Sequence, residues 1–251
     1  MTSLPETIDP AAAFFDALTG LHPDGLTACS GWTVHDLVVH MASGAEEILR
    51  HLQPAIAGDN IPPTRSFAER EEPWRQRSYP DACAALPEYV GQVTSALSEL
   101  LAANPTHVMP WSGRQMPTVM FRSHLRNEFA LHRWDLVGSD AIGKALLSDF
   151  SLTQHTVRAL SGPLLALAKA VPSDWSARLR SPETDDVVIA STATGLTMTI
   201  EAPLGEATVE CDADVRLLLL WNRFAPNRDS HMRAPLGGAA LQQLRSVLGG
   251  Y

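Results

Sequence analysis

Apolar residues recur at helical spacing through the first half of the chain and switch to alternation in the last third. Phe14, Phe15 and Leu18 share one side of a helix predicted from Pro10 to Leu18. A turn-rich stretch, GLHPDGLTACSGW, follows it. Thr33 and Asp36 then have capping-box spacing, which starts a second helix at Val34. Its apolar face is Val34, Leu37, Met41, Gly44 and Ile48, with Pro54 at or near its end. Residues 58–79 are polar and rich in Pro, Arg and Glu, and read as a long loop with at most one short helix. Loops of that length in compact domains often serve as functional lids. A third helix is predicted from Asp81 to Ala103, carried by Leu86, Val90, Val93, Leu97 and Leu101. A loop with Trp111 and Gly113 leads to Pro117, a residue suited to open a fourth helix. Four amphipathic helices with a long crossover between the second and third describe a four-helix bundle.

Beyond Gly143 the pattern changes. One further helix is expected from about Leu146 to Ala170, ahead of Pro172. Val187–Ser191 reads as a buried strand, and in Leu196–Ile200 the apolar Leu196, Met198 and Ile200 alternate with threonines. Glu206–Cys211 alternates likewise, and Gly195 and Gly205 suit hairpin links. Asp212 is placed to cap a helix over Val215–Phe224, and Leu236–Leu248 reads as the last helix. The fold class is therefore α+β and mainly α: a four-helix bundle over residues 1–145, then a small α+β domain over residues 146–251.

Composition narrows the function. The chain has 251 residues, 45 % of them hydrophobic, enough to build full cores. Its net charge is −9 and no long basic run interrupts it, which argues against a nucleic-acid partner. The longest run of large apolar residues, Leu217–Trp221, falls far short of a bilayer span. The opening MTSLPETIDP lacks the basic and apolar regions of a secretion signal, and Cys29, Cys83 and Cys211 are scattered. These features predict a cytoplasmic protein, monomer or dimer, with neither a nucleic-acid nor a membrane partner.

Candidate chemistry sits in FRSHLRNEFALHRWDL. Phe121, Leu125, Phe129 and Leu136 form the stripe that should meet the core, and Glu128 and His132 fall within it, one turn apart. A buried carboxylate without a partner is costly, so the pair either has private hydrogen-bond partners or shares a metal ion. His40, at the edge of the second helix's apolar face beside Gly44, supplies a third ligand. Two imidazoles and a carboxylate suit catalytic zinc, and ligand type alone also admits iron, nickel or cobalt. The plainer alternative pairs Glu128 with Arg126 and makes His132 a satisfied core histidine. His124 is open between ligand, substrate contact and exposed residue, while His35 and His51 read as surface positions. Asp135, three residues after His132, is placed either to orient an imidazole or to lie in solvent.

GWTVHDLVVHMA together with the later RNEFALHRWDL resembles the actinobacterial family of mycothiol-dependent maleylpyruvate isomerases, which are DinB-like metal-binding bundles. The family pattern Trp-Thr-Val-x-Asp-Leu-x-x-His falls on Trp32 to His40, and Glu-x-x-x-His-x-x-Asp on Glu128 to Asp135. The resemblance implies His40, Glu128 and His132 as ligands of a divalent metal, zinc above all, and mycothiol as cosubstrate. It implies a thiolate formed at the metal that attacks a small electrophile, such as an unsaturated acid, in an isomerisation or an S-transfer. It also implies a sterol-carrier-like second domain, whose leucine-rich helix is matched by LLLLWNRF with Asn222 where glycine is usual. Arg223 at the end of that helix is a candidate to reach the reaction, with Arg114 and Arg122 as further candidates to hold an acid and Trp111 as an apolar wall. No cysteine lies in either motif, so the sulfur is expected to arrive with the cosubstrate. A non-catalytic metal-binding protein, whose second domain holds an apolar ligand or a partner, is the alternative.

Overall fold

The computed structural model describes residues 8–161, 175–193, 195–223 and 231–248. It divides into two compact units, residues 9–138, and residues 139–251 together with 1–8. The whole is α+β with a helical first unit and a sheet in the second.

In the first unit, α1 (Pro10–Leu18) packs on α5 (Met120–Val137), and α2 (Val34–Ala57) packs on α4 (Tyr79–Ala103). Thr33 and Asp36 form the reciprocal capping box that fixes where α2 begins. Pro54 is accommodated within the last turn, and α2 ends on Gly58 in the left-handed conformation, φ 77°. One core cluster joins Phe14, Leu37, Met41, Trp74, Leu86 and Phe129, with Phe14 meeting Phe129 edge-on at 5.3 Å. A second joins Ile48, Leu52, Val93, Leu97, Met109, Met116 and Phe121.

Of two connections, the first carries the short helix that the sequence allowed and the second departs from the expected loop. The segment 58–79 carries a formed helix, α3 (Phe67–Arg75), started by a second capping box between Ser66 and Glu69. Trp74 anchors it, fully buried, with its indole donating to Glu46 at 3.0 Å. The loop around Trp111 is a hairpin of β1 (Val108–Trp111) and β2 (Arg114–Pro117). Ser112 and Gly113 make its turn, both with positive φ (47° and 77°), the geometry a two-residue hairpin requires. Pro117 therefore ends a strand, and the fourth bundle helix starts at Met120.

In the second unit the expected single helix is two, α6 (Ala141–Leu147) and α7 (Phe150–Leu160). Asp149 interrupts them by accepting from the Ser151 amide at 2.9 Å, which starts a new helix. The expected continuation over 162–170 lies outside the described residues. The sheet runs β5 (Gly195–Glu201), β4 (Asp186–Thr192), β3 (Ser176–Arg180), β6 (Val209–Cys211), β7 (Met232–Arg233). Only the β3–β6 pair is parallel among these. The strand β3 went unread in the sequence because its inward residues, Ala177 and Leu179, are separated by arginine. Those arginines are held by the fully buried Asp186, which accepts from both Arg178 and Arg180.

The helices α8 (Ala213–Leu220) and α9 (Gly238–Leu248) complete a core of Leu179, Val187, Ile189, Val209, Leu220, Leu244 and Leu248. Asp212 precedes α8 without capping it; its carboxylate accepts from Lys144 at 2.9 Å instead. Asn222 takes φ 54° just past α8, a conformation that costs glycine nothing and asparagine little. Phe224, the expected end of that helix, lies outside the described residues. Among the described residues no helix is long and apolar enough to cross a membrane.

Candidate metal centre

The helices α2 and α5 bring His40, Glu128 and His132 together, with one ligand atom from each within 4.8 Å of the others. Glu128 Oε2 lies 3.3 Å from His132 Nε2 and 3.8 Å from His40 Nε2. The opposite nitrogen of each ring is held by its own carboxylate. His40 Nδ1 meets Glu71 Oε1 at 2.9 Å, and His132 Nδ1 meets Asp135 Oδ2 at 2.9 Å. A carboxylate on Nδ1 fixes the ring and leaves Nε2 as the outward nitrogen, the usual support behind a metal-binding histidine.

Aromatic residues wall the imidazoles. Trp32 lies 5.0 Å from the His40 ring and 6.4 Å from the His132 ring, and Phe67 lies 5.5 Å from His40. Trp32 is delivered by the loop before α2, which is fastened to α5 where the Ala28 amide donates to the Asp135 carbonyl at 2.8 Å.

The charges in this cluster are strongly coupled. Burial works against ionisation of Glu128, but hydrogen bonds from His132 and His40 outweigh it and hold the carboxyl well below its ordinary range. Burial also opposes protonation of His132, and Asp135, Cys29 and Glu128 together drive its pKa well above the ordinary value. A cation held at His132 Nε2 would compete with the proton that these carboxylates favour there. Glu71 is held low as well, with burial overcome by His40 and the nearby Arg75.

The other sequence candidates fall in different places. His124 is half-buried and 3.8 Å from Glu128 Oε1, with burial pushing its pKa down against the pull of Glu128. It lines a pocket beside the centre together with Trp111, whose ring is 5.7 Å away. Arg114 sits near enough to oppose protonation of His124, while Arg122 reaches out to Ser98 at 3.3 Å on the exposed side. Arg223 belongs to the second unit, where it donates to the Trp221 carbonyl at 3.1 Å. His51 is fully buried, contrary to its surface assignment, because α2 is flanked on that side by the β1–β2 hairpin, and its Nδ1 lies 2.8 Å from the Glu47 carbonyl. His35 is half-buried against Tyr79.

Three residues at the centre escaped the sequence reading. Glu71 and Arg70 arrive on α3, and the Ser66–Glu69 capping box was the available signal for that helix. Cys29 arrives on the loop before Trp32 and forms a second potential ligand trio with His132 and Asp135. A sulfur of the chain's own therefore stands beside the centre.

The sequence profile of the mycothiol maleylpyruvate isomerase N-terminal domain matches residues 4–137. The chain belongs to that family. The match spans every residue of the His40–Glu128–His132 cluster and both orienting carboxylates. Among solved structures, a mycothiol-dependent maleylpyruvate isomerase and a point mutant of it share the fold, with TM-scores of 0.65 and 0.66. Each is 14 % identical, over 91 % of this chain and 90 % of the other. No curated protein sequence matches the chain significantly.

Proposed function

We propose that this member of the family is a metal-dependent enzyme that uses mycothiol to isomerise, or to transfer sulfur to, a small unsaturated acid. The observation that carries the reading is the pair of imidazoles, each backed by its own carboxylate, aimed at one glutamate. His40 Nε2, Glu128 and His132 Nε2 would hold the metal, with zinc the best fit to this donor set. When bound, such an ion lowers the pKa of a coordinated thiol so that the nucleophilic thiolate exists at neutral pH. Glu71 and Asp135 keep the rings from turning, and Trp32 and Phe67 screen them from water. Mycothiol as cosubstrate and maleylpyruvate as the reference substrate come from the names of the structural relatives. Isomerisation is favoured over transfer on the same ground.

The test follows cis–trans conversion of maleylpyruvate by zinc-loaded protein, with and without mycothiol. Conversion that requires the thiol without consuming it, and falls at least about a hundredfold in His40→Ala, is the expected result. Stoichiometric loss of thiol would assign the S-transferase instead. Conversion that ignores both thiol and His40 would contradict the proposal.

A further inference from the structure

Arg70 is an arginine buried beside the metal-binding cluster with its charge uncommitted. The residue is only 6 % exposed, and its Nε has no hydrogen-bond partner among the described residues. The guanidinium carbon lies 4.4 Å over the Phe67 ring. The acids around it are engaged elsewhere. Glu47 accepts from Arg50 and Arg65, Glu46 from Arg65 and Trp74, and Glu71 from Arg75 beside His40. Glu128 faces His40, His124 and His132.

Burying a guanidinium without a carboxylate hydrogen-bonded to it is unfavourable, and the group cannot escape the cost by losing its proton. Burial does pull its affinity for the proton down, with Glu71, Glu128 and Glu47 partly compensating from a distance. A position like this is relieved when an anion arrives. The guanidinium borders the same small pocket as His40, His124, Trp111 and Glu128. The space is about 30 Å³, room for a single small group, and Gly44 forms part of its wall, where a Cβ would meet nothing within 4 Å, so the pocket takes an acid group and not a whole substrate.

We infer that Arg70 is the carboxylate-binding residue of this pocket, receiving the acid group of the substrate and so placing its double bond next to the metal cluster. The fork of the guanidinium matches a carboxylate with two parallel hydrogen bonds, which fixes the acid's orientation as well as its place. The substrate class is then a small unsaturated carboxylic acid in its ionised form, and not its ester or amide. The inference rests on the proposed function for the identity of the pocket, but the arginine and its vacant charge are independent of any metal.

The probe is maleate, a four-carbon unsaturated diacid, titrated calorimetrically into wild type, Arg70→Gln and Arg70→Lys. Each protein is measured zinc-loaded and after chelation, with zinc content and circular dichroism as controls and dimethyl maleate as the uncharged comparison. Wild type is expected to bind maleate about ten- to a hundredfold more tightly than Arg70→Gln in both forms, with the zinc content of the two equal. Arg70→Lys should fall between them, because an ammonium cannot reproduce the two-pronged contact. Dimethyl maleate should not distinguish the three. If Arg70→Gln proves unfolded, Arg70→Lys decides alone, and affinity equal to wild type overturns the inference. Absence of maleate binding to wild type in both forms also overturns it. A wild type that refuses zinc yet binds maleate through Arg70 would defeat the proposed function and leave the carboxylate site standing.

Discussion

The two carboxylates behind the imidazoles do separate jobs from the glutamate between them. Glu128 is a ligand candidate, whereas Glu71 and Asp135 meet the rings at Nδ1 and act by holding them. Glu71→Gln and Asp135→Asn should therefore leave the fold intact and weaken zinc binding by about ten- to a hundredfold, read by competition with a chromogenic chelator. Proton linkage supplies a second expectation. The pKa of His132 is raised in the metal-free protein, so below that value each zinc ion must displace a proton to bind. Zinc affinity should then be flat in alkaline solution and decline as the pH falls through the raised His132 value. Proton release on zinc binding, measured in buffers of different ionisation enthalpy, should approach one per site from His132 in the acidic range. An affinity independent of pH would remove His132 from the ligand set.

At the scale of elements, α3 matters most because it brings both Glu71 and Arg70 to a centre otherwise made by α2 and α5. The segment leading into it is fastened by Glu47, fully buried on α2. Its carboxylate accepts from the Arg65 amide at 2.8 Å and from the Arg65 and Arg50 guanidinium groups. Burial alone would raise the Glu47 pKa, but these donors prevail and lower it to about 2. A depressed carboxylate stabilises the fold above its unfolded value and loses that contribution as the pH falls towards the folded one. Glu47→Gln should cost roughly 2–3 kcal/mol at neutral pH by denaturant unfolding, and the gap between variant and wild type should close as the pH drops below about 4. A constant gap across that range would mean that Glu47 acts by packing and not by charge.

Across the whole molecule, the elements legible in the sequence are those whose signal is local and repeated. The boundaries of α1 and the start of α2 followed from Phe14, Leu18 and the Thr33–Asp36 box, β4 from its run of buried-looking residues and β5 from its alternating ones. The β1–β2 hairpin was missed because Ser112 must adopt a positive φ that serine rarely signals, and β3 because its arginines are neutralised only by Asp186 from another strand. The same limit applied at the metal centre. His40, Glu128, His132 and Asp135 carry helical spacing that a reader of one strand of text can find, and the structure brings all four together. Glu71, Arg70 and Cys29 join them only through tertiary packing of a polar segment and a loop, so no period marks them.

A cluster of two rings, their two carboxylates and one glutamate leaves few atoms unassigned, and removing any ligand strands charge in a buried place. The most direct measurement is the metal content of the purified protein by elemental analysis, beside folded His40→Ala and Glu128→Ala variants. The account predicts close to one divalent ion per chain in wild type after zinc loading, and almost none in either variant. A wild type that cannot be loaded with zinc, or variants that keep a full complement, would contradict the assignment of this cluster as the metal centre.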